Sequence, residues 1–145
     1  MTTETEAQST ARQSTAALIR RYYEAFNKGD TAAMLALLSD DVIHDVNQGQ
    51  RRQGKERFEA FLARMAHHYL EKLEDVTVLV NKDGTRAAAE FNVNGKYLQT
   101  ESGLPEATGQ TYKLPAGAFF AIRDGKISRV TTYYNLTDWI TQVAA

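Results

Sequence analysis

The chain has 145 residues, 43% of them hydrophobic, which is enough for one domain with a real core, and a formal charge of −1 at pH 7. It has no run of Lys or Arg beyond Arg20-Arg21 and Arg51-Arg52, so the basic footprint of a nucleic-acid binder is missing. The absence of cysteine excludes disulfides, thiolate metal sites and cysteine nucleophiles, and no apolar run approaches the roughly 20 residues of a membrane span.

Residues 1–13, MTTETEAQSTARQ, are polar, carry two Glu and lack the apolar core of a signal peptide. They are expected to form a disordered tail on a cytoplasmic protein, with residues 14–145 as a single domain. Thr15 to Lys28 places Leu18, Ile19, Tyr22, Tyr23 and Phe26 at helical spacing, and Asn27-Lys28-Gly29 supplies a stop. Asp30 can cap a second helix over Thr31 to Leu38. Val42 to Asn47 reads as a short strand carrying His44 and Asp45, and Gln48 to Gly54 as a polar loop. Lys55 to Leu70 is a third helix with an apolar stripe of Phe58, Phe61, Leu62, Met65 and Tyr69.

From Glu71 onward the pattern is strand, with breaks expected at Lys82-Asp83-Gly84, at Asn94-Gly95 and over a Glu101 to Gly109 loop. The even positions from Tyr112 to Ile122 form one apolar face, with the small Ala116 and Ala118 at its centre. Those alanines either floor a cavity or let a helix approach closely. Asp124-Gly125 suits a type I′ hairpin between Ala118–Arg123 and Lys126–Tyr134. Asn135 or Thr137 can then cap a final short helix. Helices early and an antiparallel sheet late define an α+β class.

Arg21-Tyr22-Tyr23-Glu24-Ala25-Phe26-Asn27-Lys28-Gly29-Asp30, followed by Ser39-Asp40-Asp41-Val42, resembles the opening of ketosteroid isomerases. Thr108-Gly109-Gln110-Thr111-Tyr112, Asp124-Gly125-Lys126-Ile127 and Tyr133-Tyr134-Asn135 resemble the second half of limonene-epoxide hydrolases and SnoaL-like polyketide cyclases. HDVNQG, GLPEA-x-GQ-x-Y and YYNL together are similar to the ketosteroid isomerase-related branch. The resemblance spans about Thr15 to Val143 and implies the nuclear-transport-factor-2-like cone. That is a curved antiparallel or mixed sheet packed on three N-terminal helices, with a short C-terminal helix.

The resemblance also assigns positions. The isomerases' oxyanion-donating Tyr falls on Tyr22. Their catalytic Asp falls on Val46, or on Asp45 with a one-residue shift, and their second oxyanion donor falls near Ala118. The Asp that cyclases and epoxide hydrolases keep on the last strand falls on Thr132, and the hydrolases' water-binding Tyr falls on His44.

From the residues themselves, His44 and Asp45 are the candidate proton carriers, since histidine titrates near neutrality and a buried Asp can be raised toward it. Neighbours on a strand face opposite sides, so one of the two is expected to meet the pocket. The competing reading makes His44 a core histidine and Asp45 a loop-capping acid. Tyr22 and Tyr112 are candidate hydroxyl donors, and Asn47, Glu90, Ala118, Phe120 and Thr132 complete the candidate lining. Glu90 also fits a solvated face. His67 and His68 lack metal-ligand spacing.

The expected function is therefore cofactor-free acid–base catalysis on a small, mostly apolar carbonyl compound, as an isomerase, cyclase or related lyase. A non-catalytic binding or dimerisation module is the alternative. A homodimer is expected through an outward row of Ile127, Thr131 and Tyr133 on the last strand.

Overall fold

The computed structural model describes residues 5–47 and 49–144. In chain order the elements are α1 (Glu6–Lys28), α2 (Thr31–Ala36), β1 (Leu38–Val46), β2 (Arg52–Gln53), α3 (Lys55–His68), β3 (Tyr69–Val80), β4 (Arg86–Tyr97), β5 (Thr111–Arg123), β6 (Lys126–Tyr134) and α4 (Leu136–Val143). The strands form one curved sheet in the order β2-β1-β6-β5-β4-β3. Every neighbouring pair is antiparallel except β1 with β6, which is parallel. This is the mixed α+β architecture expected. Among the described residues no helix is long and apolar enough to cross a membrane.

Helix α1 corrects the expected tail. It starts at Glu6, so residues 6–13 are helical, while residues 1–4 lie outside the described part. Thr5 and Gln8 form a reciprocal capping box, each side chain accepting the other's backbone N–H, at 3.1 and 3.0 Å. Burial begins only at Thr15, whose hydroxyl donates to the Gly84 carbonyl at 2.6 Å. An apolar-stripe reading sees that buried part and misses the capped extension. The helix ends at Gly29, held at φ 69°, and Asp30 Oδ1 caps α2 by accepting the Ala33 N–H at 3.0 Å.

The β5–β6 hairpin turns where expected and β6 has the expected bounds, while β5 extends back to Thr111 rather than starting at Ala118; Asp124 and Gly125 lie at φ 51° and 73° as a type I′ turn requires. Beyond the turn, Ile122 pairs with Ile127 and Ala121 with Arg129, which leaves Ser128 as a bulge. The bulge shifts the alternation, so Ile127 is fully buried and does not join the outward row. Asn135 caps α4 by accepting the Asp138 N–H at 3.0 Å. Where β6 has ended, Gln142 of α4 takes its place beside β5, accepting from the Lys113 N–H and donating to the Lys113 carbonyl.

Asn94-Gly95 is not a break, because β4 runs straight through it. Across the concave face Glu71, Gly95 and Tyr112 are neighbours on β3, β4 and β5. The Tyr112 ring lies over Gly95, and its hydroxyl donates to Glu71 Oε2 at 2.5 Å. Glycine is there because a side chain cannot be.

A β-carbon at residue 95 would lie 2.1 Å from Tyr112 Cζ. Gly95→Ala should therefore destabilise the protein by about 1–3 kcal/mol, as overpacking does. Urea unfolding should show most of that loss disappearing in a Tyr112→Leu background. Equal losses in both backgrounds would show that the ring is not the obstacle.

Candidate active site on the concave face

Sheet register sorts the expected site residues between two faces. His44, Val130, Phe120 and Ala87 form one row across the concave face, and Val46, Thr132, Ala118 and Ala89 form the next. The second row is made of small side chains. Tyr22 and Tyr23 of α1 pack on the neighbouring aromatics: Tyr22 lies edge-on to Phe120 at 5.9 Å, and Tyr23 lies 5.1 Å from Phe91. Tyr22 thus packs into the aromatic layer over the sheet, and Ala118 is fully buried on the same face of it. Burial pushes the Tyr22 hydroxyl well above its ordinary pKa.

His44 and Asp45 face opposite sides. His44 is 4% exposed, with its ring 4.3 Å from Phe58 and 4.6 Å from Phe61 of α3. Its Nδ1 has no hydrogen-bond partner among the described residues. Desolvation, reinforced by the nearby Arg52 charge, pushes its pKa down to about 4, so the ring is neutral at pH 7. Asp45 points to the convex face, where Arg51 donates to both carboxylate oxygens at 2.8 and 3.0 Å and the Thr131 hydroxyl donates at 2.7 Å. These hydrogen bonds hold its carboxyl below the usual range.

The remaining expectations divide in the same way. Glu90 is exposed on the convex side, next to Thr77 and Gly117. Asn47, at φ 47°, ties the end of β1 to β6 by donating its N–H to the Thr132 carbonyl and accepting the Tyr134 N–H at its side chain. Tyr112, Ala118, Phe120 and Thr132 do share the concave face.

The polar centre of that face was not among the expected residues. Glu71, bonded by Tyr112, sits beside an aromatic group in which Trp139 of α4 meets Tyr69, Tyr97 and Tyr112 edge-on, at 5.9, 4.9 and 5.9 Å. Burial raises the Glu71 pKa, partly opposed by the Tyr112 hydroxyl. Glu101 accepts from the Tyr69 hydroxyl and pairs with Arg64 of α3 at 3.2 Å. The Tyr97 hydroxyl fastens this loop, accepting the Glu101 N–H and donating to the Pro105 carbonyl.

Tyr134 completes the group. It pairs with Ala116 of β5, and its hydroxyl is raised above its ordinary pKa first by burial and then by the charges of Glu71 and Glu101. Glu71, its titration displaced upward, and the neighbouring Glu101, set among tyrosine hydroxyls and apolar rings, form an arrangement able to move protons. Among the described residues no three His, Asp or Glu side chains are placed to hold a metal. His68 Nδ1 instead lies 2.8 Å from the Gln99 carbonyl oxygen.

Residues 19–130 match the model of the SnoaL-like domain, and the chain belongs to that family. It is similar to a candidate polyketide cyclase from Pseudomonas putida KT2440, with 62% identity, TM-score 0.86, and 88% of this chain and 96% of that one covered. A second candidate polyketide cyclase, from Xanthomonas campestris pv. campestris, has 55% identity and TM-score 0.89, covering 91% and 98%. A limonene-epoxide-hydrolase-like protein from M. tuberculosis shares the fold at 16% identity and TM-score 0.69, covering 91% and 86%. No curated protein matches the chain.

Burial of neutral His44 carries a pH signature. Unfolded histidine binds a proton near pH 6.5 and the folded ring only near 4, so the unfolded state holds more protons between those values. This contribution therefore falls as pH drops from 6.5 to 4, by up to about 3 kcal/mol. Glu71, raised in the fold, has the opposite slope in its own window, so the difference from a His44→Phe variant is the quantity to measure. Denaturant midpoints at pH 7 and pH 5 should fall less for His44→Phe than for the wild type. Equal falls would place His44 in contact with solvent.

Proposed function

We propose that the protein is a cofactor-free acid–base catalyst for a small, mostly apolar carbonyl compound, acting as an isomerase, cyclase or related lyase on the concave face. The observation that carries this reading is Glu71, a carboxylate raised by burial and set among tyrosine hydroxyls in an otherwise aromatic wall. Its raised pKa suits it to take a proton from carbon next to a carbonyl and return it to another atom. As the C–H bond breaks, its electron pair moves into the new C=C bond and the carbonyl oxygen gains the negative charge. The Tyr134 hydroxyl is the donor for that enolate oxygen.

This reading moves the proton carrier away from the residues first favoured. Neutral His44, with a pKa near 4, is a weak base, Asp45 is committed to Arg51 and Thr131 on the other face, and Tyr22 is packed within the core. Membership of a family that includes candidate polyketide cyclases supports enolate chemistry without naming a substrate.

Deuterium exchange at the α-carbon of a panel of cyclic ketones and β-diketones in D2O, followed by NMR, tests this without a known product. Glu71→Gln keeps the acceptor for Tyr112 and should lower catalysed exchange by at least about 10²-fold. Tyr134→Phe should lose less, and His44→Gln should change little. A folded Glu71→Gln variant with full activity would remove Glu71 from the mechanism. Binding of the ketones with no catalysed exchange in the wild type would favour the non-catalytic module.

We infer in addition that the convex face pairs two copies of the chain. Leu79, Ala88, Phe119 and Thr131 form one row across it, Phe119 and Tyr133 touch at 6.0 Å, and Leu79, Phe119 and Tyr133 are 62%, 50% and 52% exposed. Large exposed apolar side chains grouped on one face favour a partner. Sedimentation should report a dimer for the wild type and a monomer for Phe119→Lys. A monomeric wild type would end this idea.

A further inference from the structure

Four arginines line one cavity beside α3. It has a volume of about 390 Å3 and lies between the segment entering β2 and the outer side of α3, with Arg51, Arg52, Arg57, Arg64 and Phe61 in its lining. For a chain whose formal charge is −1, this is a marked local excess of positive charge.

Two of the four are already answered by acids. Arg51 pairs with Asp45 at 2.8 Å and Arg64 with Glu101 at 3.2 Å. Among the described residues Arg52 and Arg57 make no ion pair. Arg52 lies over the Phe61 ring at 5.2 Å and Arg64 over the same ring at 5.9 Å, so an aromatic face offsets part of their mutual repulsion. Four guanidiniums against two carboxylates leave two positive charges uncompensated at one concave surface. Beneath them, the unpartnered Nδ1 of buried His44 adds no charge, because its ring is neutral.

Like charges lining one cavity repel one another, and the Phe61 ring and the two acids relieve only part of that. A doubly charged oxyanion would relieve the rest, and guanidinium forks match the paired oxygens of phosphate and carboxylate. The cavity is larger than a bare inorganic ion needs and falls within the size range of small-molecule sites. We propose that it binds a dianionic oxyanion, a phosphate ester or a dicarboxylate, carried on a small organic molecule. This site shares Arg64 with the Glu101 ion pair beside the concave face, and its test does not depend on any turnover.

Isothermal titration at low ionic strength, with phenyl phosphate, phthalate and benzoate as probes, decides it. Low salt matters because exposed charges are screened. At least one dianion should bind saturably at one site per chain, at least tenfold more tightly than benzoate. Preference for phenyl phosphate identifies a phosphate-ester site, and preference for phthalate a dicarboxylate site. Arg52→Gln and Arg57→Gln should each weaken that binding at least tenfold, with circular dichroism confirming the fold. Arg123→Gln, which removes an equal charge from the distant Asp41 pair, should leave it unchanged. Absence of saturable binding by either dianion, unchanged affinity in both cavity variants, or an equal loss in Arg123→Gln would overturn the proposal.

Discussion

The concave site depends on one close passage, the ring of Tyr112 crossing the bare backbone of Gly95 to reach Glu71 two strands away. An ionisable carboxylate in an aromatic wall is costly unless something donates to it, and Tyr112 is that donor. The same ring meets Trp139, which positions α4 over the end of the sheet, and Trp139 in turn lies edge-on to Tyr69 and Tyr97. The hydroxyls of those two tyrosines hold Glu101 and the loop that follows it. One missing side chain thereby organises the polar end of an otherwise apolar face.

Strand parity does the rest of the sorting. His44 and Asp45 are adjacent in sequence but belong to different environments, one beneath the aromatic rings of α3 and the other in an ion pair on the convex side. Each is held in a form unsuited to proton transfer at neutral pH: the histidine is kept neutral by desolvation and the aspartate is kept charged by its donors. Glu71 moves the other way because burial outweighs its single donor.

How much of this could be read from the residues follows from how local each signal is. The Asp124-Gly125 turn, the Asn135 cap and the Gly29 stop are decided within a few residues, and all three stand as expected. The Thr5–Gln8 capping box is equally local but sits upstream of the apolar stripe, in residues whose polarity suggested a tail. Asn94-Gly95 reads as a break, since Asn-Gly is a turn signal, yet β4 runs through it. Gly95 belongs in a strand only because of Tyr112, 17 positions later, which no local pattern reveals. Glu71 was hidden for the same reason: its role requires knowing that β3, β4 and β5 align there. The Ser128 bulge turned Ile127 inward, and simple alternation cannot anticipate an extra residue.

The parallel pairing of β1 with β6 has a consequence for the order in which the molecule assembles. The hydrogen bond from Thr131 to Asp45 joins residues 86 apart in the chain, and among the described residues β1 has no other sheet partner than β6 and the two-residue β2. During synthesis β1 emerges early and must wait, with its hydrogen-bonding edge unpaired, until the last hairpin is made. Non-local pairings of this kind are slow to form and leave exposed edges in the meantime. The exposed Asp40 and Asp41 on that waiting strand place charge along it, which discourages pairing with the wrong neighbour.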